Sequence, residues 1–207
     1  MVGYFVNIIF YFRRSKMETT HQKILIITAP SGAGKTSITH FLMQEFSELT
    51  FSISATTRNP RANEEDGKDY YFISAETFKT KIQKNEFAEW EMVYEGKYYG
   101  TLKSELKRIW LLNKVPVLDI DVKGALHIQQ QYPENTLSIF VEPPSVDELK
   151  KRLLSRGTET EESLSARINK ASYEIGFKEH FDKIIVNDVL ENACAKAKEI
   201  LTEFLEN

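Results

Sequence analysis

Eight residues constrain this chain more than any others: Ala29-Pro-Ser-Gly-Ala-Gly-Lys-Thr36 directly follow the aliphatic run Ile24–Thr28. A continuous run of that length suits a strand buried on both faces of a parallel sheet. Beyond the loop, Ile38, Phe41, Leu42 and Phe46 recur at helical spacing. Between a strand and a helix, Gly-Lys-Thr reads as a phosphate cradle. Backbone N–H groups there point inward around a β-phosphate, and the helix adds its positive dipole end. Gly32 and Gly34 let phosphate oxygens approach where a Cβ would intrude. Lys35 reaches the β- and γ-phosphates as a point charge, and the Thr36 hydroxyl is a natural ligand for Mg²⁺. The plainer reading, a glycine turn that binds nothing, fits poorly with Gly-Lys-Thr placed directly after such a strand. The site binds a nucleoside triphosphate through Ala29, Pro30, Ser31, Gly32, Ala33, Gly34, Lys35 and Thr36. Ala29 stands where the usual pattern has glycine, and alanine disfavours positive φ. The start of the loop is therefore expected to differ slightly.

Strand-like runs follow at Leu49–Ser54, Tyr70–Ile73, Phe87–Val93, Lys97–Tyr99, Val115–Ile120, Leu137–Val141 and Lys183–Val186. Helical patterns lie at Ala75–Lys84, Leu102–Asn113, Val122–Gln131 and Glu191–Leu205. Ser145-Val-Asp-Glu148 and Thr158-Glu-Thr-Glu161 are capping boxes, opening helices that run to about Arg156 and Phe177. Alternating strands and helices call for a parallel sheet with helices on both faces. The aromatic, strand-rich stretch before Leu102 looks like an insertion into that core.

Several motifs downstream of the loop closely resemble the guanylate kinase family. They are Ser54-Ala-Thr-Thr-Arg-Asn-Pro-Arg61, Gly67-Lys-Asp-Tyr70, Asn85-Glu-Phe-Ala-Glu-Trp90 and Tyr98-Tyr-Gly-Thr101. Leu118-Asp-Ile-Asp121, Arg156-Gly-Thr-Glu-Thr-Glu-Glu-Ser163 and Ile185-Val-Asn-Asp188 continue the series in the expected order and spacing. The resemblance runs from about Ile24 to the C-terminus and implies phosphate transfer from ATP to GMP with Mg²⁺. It implies an α/β fold: a P-loop three-layer α/β/α core with a parallel sheet, a small mixed β/α GMP-binding insertion and a helical lid. The expected boundaries are 23–53, 102–144 and 181–207 for the core, 54–101 for the GMP-binding subdomain and 145–180 for the lid, after an extension at 1–22.

Guanine presents N1–H and N2–H₂ as adjacent donors, and one ionised carboxylate accepts from both. By family position that carboxylate is Glu89, with Ser54 and Thr101 offering hydroxyls to the base and Asp121 near its amino edge. Adenine would leave the carboxylate unpaired, and such sites reject the wrong partner by about 10⁴-fold or more. Arg58, Arg61, Tyr70 and Tyr99 hold the family's places for the GMP phosphate, where arginine's planar fork grips oxygens bidentately. Lys35, Arg156 and Arg167 are expected to carry transition-state charge, with Arg152 as a supporting lid cation. Asp119 is assigned to order the metal, directly or through water, and to lie near GMP. Asn187 and Asp188 resemble the family's adenine-contacting turn, although Asn-Asp after a strand is also ordinary turn chemistry. The alternative from another class is a non-catalytic guanylate-kinase-like module that binds protein in the GMP cleft. Such modules typically lack the intact loop and lid arginines present here.

Composition agrees with an enzyme of this kind. A formal charge of −3 argues against a nucleic-acid-coating protein. The single cysteine, Cys194, excludes an intramolecular disulfide and suits a reducing, cytoplasmic setting. Residues 2–12, VGYFVNIIFYF, are nearly all apolar and precede Arg13, Arg14 and Lys16. That run is too short to cross a bilayer, which takes about 20 apolar residues, and its charges lie on the wrong side for a signal peptide. It reads as a surface anchor, an extra packed element, or sequence upstream of a start at Met17, the last being favoured; no stable membrane association is expected. Oligomeric state is left open.

Overall fold

The computed structural model describes residues 22–155 and 161–207. In chain order the elements begin β1 (Ile24–Thr28), α1 (Lys35–Glu45), β2 (Leu49–Phe51), β3 (Ala55–Thr56), β4 (Tyr71–Phe72) and α2 (Ala75–Gln83). Next come β5 (Phe87–Tyr94), β6 (Lys97–Leu102), α3 (Lys103–Leu111), β7 (Val115–Leu118), α4 (Val122–Gln131) and β8 (Thr136–Glu142). The chain ends with α5 (Val146–Ser155), α6 (Glu161–Ile175), a 3₁₀ turn at Lys178–His180, β9 (Lys183–Val186) and α7 (Leu190–Glu206).

The main sheet is parallel, in the order β2-β7-β1-β8-β9. Its central strand shows why the aliphatic run has no polar alternation. Leu25 and Ile27 pack on one face against Ile38 and Leu42 of α1 and Ala197 and Leu201 of α7. Ile24 and Ile26 pack on the other against Leu106 of α3 and Ala125 and Ile128 of α4. Each such side chain, fully removed from water, contributes roughly 1.5–3 kcal/mol. Three layers follow directly from that double burial.

A second, mixed sheet runs β4-β3-β6-β5 and lies wholly within the stretch from Ala55 to Leu102. It closes over Phe78 of α2, whose ring stacks on Phe87 at 4.2 Å. Strand β3 is absent from the sequence expectation, in which a strand-like run ends at Ser54 and the polar, turn-rich stretch is Arg58–Asp69; two paired residues carry too little pattern to declare a strand. The expected run Leu49–Ser54 likewise shortens to Leu49–Phe51. Glu105 of α3 ties the segment between β2 and β3 to β4 of the second sheet. It is 2% exposed and accepts from Ile53 N–H at 3.1 Å, Tyr71 Oη–H at 2.9 Å and the Arg108 guanidinium at 2.7 and 2.8 Å. Burial opposes its charge, but those donors hold its carboxyl below the usual range.

Helices α5 and α6 pack through Leu149, Leu153, Leu164 and Ala171. Ser145 caps α5 by accepting from Glu148 N–H at 3.0 Å, one half of the expected capping box. Glu148 itself faces Lys151 and Arg152. Arg156, the Thr158 cap and the apolar extension lie outside the described residues.

Candidate active site

A cleft of about 1080 Å³ opens at the carboxyl ends of β1 and β7, the place where parallel α/β sheets hold ligands. The glycine loop lines one side of it. Gly32 and Gly34 take φ of 96° and 100°, the left-handed region that a side chain disfavours. At Gly34 there is also no room: a Cβ would stand 2.0 Å from the Asn187 Nδ2. Ala29 has no positive φ and is 8% exposed, so alanine sits at the start of the loop in a backbone conformation it readily adopts. Lys35 and Thr36 open α1, and the Lys35 amine pairs with the Asp119 carboxylate just beyond β7.

Across the cleft stands Glu89, 6% exposed. A β-bulge between Phe87 and Glu89 sets its direction. Without the extra residue Glu89 would oppose Gly100; with it, Glu89 pairs with Thr101. The fully buried Thr101 donates its hydroxyl to Glu89 Oε1 at 2.6 Å. Burial pushes the Glu89 carboxyl up to about 7; Thr101 opposes that rise, and the nearby Asp121 and Glu91 add to it. Asp121 caps α4 by accepting from Gly124 N–H at 2.9 Å. Ser54 lines the same end of the cleft.

Arg61, Tyr70 and Tyr99 also line the cleft, while Arg58 lies behind them with a largely buried side chain. Arg58 donates to Glu64 in a fork at 2.5 and 2.6 Å, and through Nε to the Tyr99 hydroxyl at 3.1 Å. Its guanidinium stacks over the Tyr70 ring at 4.9 Å. Arg58's fork, helped by Arg61 N–H, lowers the Glu64 carboxyl to about 2. Glu64 escaped the sequence reading because it sits in a polar turn, six residues from its partner.

From α6, Arg167 reaches across and donates to the Ser31 hydroxyl at 2.8 Å. Lys170 and Glu174 of the same helix line the cleft and pair at 3.6 Å. Burial raises the Glu174 carboxyl, against the pull of Lys170 and Lys35. The spacing of Arg167, Lys170 and Glu174 on one helical face was the available signal for both.

Two of the expected ligand residues, Arg152 and Asn187, have side chains bonded to the protein itself. Arg152 donates to the backbone carbonyls of Asn187 and Asp188 at 3.0 and 3.3 Å, and does not line the cleft. Asn187 is 4% exposed, and its side-chain N–H bonds Ala33 O at 2.7 Å beneath the loop. It braces the cradle from below, while Asp188 stays exposed beside it. Among the described residues no group of three or more His, Cys, Asp or Glu is placed to hold a metal. Thr36 and Asp119 nevertheless fit an ion that arrives on nucleotide phosphates and keeps most of its water.

A family model described as Guanylate kinase matches residues 21–204. A guanylate kinase of Bacteroides fragilis is 45% identical over 188 residues, covering 91% of this chain and 92% of that protein. One from Bacteroides thetaiotaomicron is 45% identical over 197 residues, covering 95% and 96%. Among solved structures, guanylate kinase from Anaplasma phagocytophilum aligns with a TM-score of 0.69 at 29% identity, over 89% of this chain and 87% of that one.

Proposed function

The chain belongs to the guanylate kinase family, transferring phosphate from ATP to GMP to give ADP and GDP, and we propose that Glu89 selects the acceptor base while Lys35 serves the transferred phosphate. One observation carries the reading: a P-loop lysine and a buried, upward-shifted carboxylate share a single cleft.

The guanine edge enters beside Glu89, which accepts from N1–H and N2–H₂ when ionised. Thr101 spends its one O–H on Glu89, so the O6 donor falls to Ser54. Arg61, Tyr70 and Tyr99 receive the GMP phosphate, and Glu64 holds Arg58 behind them as a fixed positive charge. The glycine loop, with Lys35 and Ser31, takes the ATP phosphates. Arg167 spans to Ser31 from α6, and Arg156, which lies outside the described residues, is assigned to transition-state charge by family resemblance alone. Thr36 and Asp119 would hold the Mg²⁺, which when bound would supply neutralisation of the charge on the ATP phosphates.

No side-chain base is required, because the attacking oxygen belongs to an already anionic phosphate. Catalysis is then positioning plus charge stabilisation. Covering the cleft from α5 and α6 keeps water from competing for the γ-phosphate. No described helix is long and apolar enough to cross a membrane, and both substrates are soluble nucleotides, which suits a cytoplasmic setting. A coupled ADP-release assay with GMP, AMP, UMP and dTMP tests the reading. GMP alone should sustain fast turnover; equal turnover with AMP would defeat the role given to Glu89, and none with any acceptor would favour a protein-binding module.

A further inference from the structure

Gly124 occupies the first turn of α4, three residues after the Asp121 cap. Glycine inside a helix is less stable than alanine by roughly 0.5–1 kcal/mol, so its presence there calls for a reason. Backbone freedom is not that reason, because Gly124 is not among the residues with positive φ. Space is. A Cβ at Gly124 would stand 2.7 Å from Glu89 Oε2, 3.3 Å from its Cδ and 3.5 Å from Asp121 Oδ1.

Neither side can give way cheaply. The carboxylate is tethered through its other oxygen, Oε1, to Thr101 at 2.6 Å. Helix α4 is pinned from behind by Val122, Ala125 and Ile128, each at most 2% exposed in the main core. We infer that Gly124 is a specificity-positioning residue, whose missing side chain lets α4 close over Glu89 and hold its Oε2 at the angle the guanine edge needs. This rests on the role proposed for Glu89. Gly124 touches no substrate in this account and acts only through that carboxylate.

Helix propensity and substrate affinity then pull in opposite directions, which a merely structural glycine would not do. Gly124→Ala should raise the KM for GMP by about tenfold or more, the usual coupling of residues in contact, and leave the KM for ATP within about twofold. Removing the obstructed group should remove the effect. In a Glu89→Ala background the same substitution should leave kcat/KM for GMP unchanged and raise Tm, since alanine is the better helix former. A Gly124→Ala enzyme with normal GMP kinetics would overturn the inference. So would an equal loss of kcat/KM in both backgrounds, which remains readable if the single variant folds poorly. The parallel Glu89→Gln enzyme separates the two claims. Unchanged GMP kinetics there would mean the base-recognition role itself is wrong, whereas weakened GMP there with normal Gly124→Ala kinetics condemns only the role of the glycine.

Discussion

Lys35→Ala should lower kcat by about 10³-fold while leaving the fold intact. Removing one preorganised charge from a transition state typically costs 10²–10³, and phosphoryl transfer depends on such charges more than most reactions. The stability side is small. Lys35 pairs with Asp119, but their side chains are 23% and 35% exposed, so water takes up the freed carboxylate. Pairs of that exposure are worth about 0–1 kcal/mol. Circular dichroism and Tm should therefore match the parent. The phosphate role would be contradicted by a kcat within tenfold of normal in a folded variant.

Glu89→Gln should weaken GMP by about 10²-fold or more in kcat/KM, because an amide NH₂ then faces the donors of guanine. The same change should stabilise the protein at alkaline pH. The folded-state carboxyl lies near 7, above its ordinary value of 4.5, because burial disfavours the charged form. The folded protein thus holds this proton longer than the unfolded chain does. Its stabilising contribution is complete below pH 4.5 and is lost as pH rises through about 7. At pH 8 the variant should exceed the parent by roughly 1–3 kcal/mol in urea unfolding, and at pH 4.5 that advantage should vanish. GMP affinity of the parent should climb between pH 6 and 8 as Glu89 ionises. Part of that climb belongs to the GMP phosphate, whose second pKa is about 6. The variant retains only that part. A parent and variant with identical pH profiles would mean that Glu89 does not titrate in the binding step. Stability is being traded for recognition here, as functional sites commonly do.

Much of this site is written in the order of the residues. The aliphatic strand and Gly-Lys-Thr place Lys35 without help from tertiary structure, since strand, loop and helix are contiguous. Motif resemblance brings Ser54, Arg61, Tyr70, Glu89, Tyr99, Asp119 and Asp121 to the cleft they line. What stayed hidden depends on partners distant in the chain. The bulge that turns Glu89 toward Thr101 is a relation between β5 and β6, and no single strand displays its own register. Glu105 meets Ile53 from 52 residues away; its place four residues before the buried Ile109 was a faint sign that it faces inward. Asn187 and Arg152 carry residue types that suit a nucleotide, yet the first braces Ala33 and the second holds the Asn187–Asp188 turn. Side-chain chemistry proposes ligands readily; only packing decides which groups are already committed elsewhere.

The central claim, that Glu89 reads two adjacent donors on one base edge, is tested most directly by comparing GMP with inosine monophosphate as acceptors. Inosine monophosphate keeps N1–H and O6 and lacks only the N2 amino group, so it removes one of the two donors and nothing else. With AMP as the limit of no donor at N1, kcat/KM should fall in the order GMP, inosine monophosphate, AMP, with a first step of about 10²-fold and a total of about 10⁴-fold or more. Equal kcat/KM for GMP and inosine monophosphate would contradict the account.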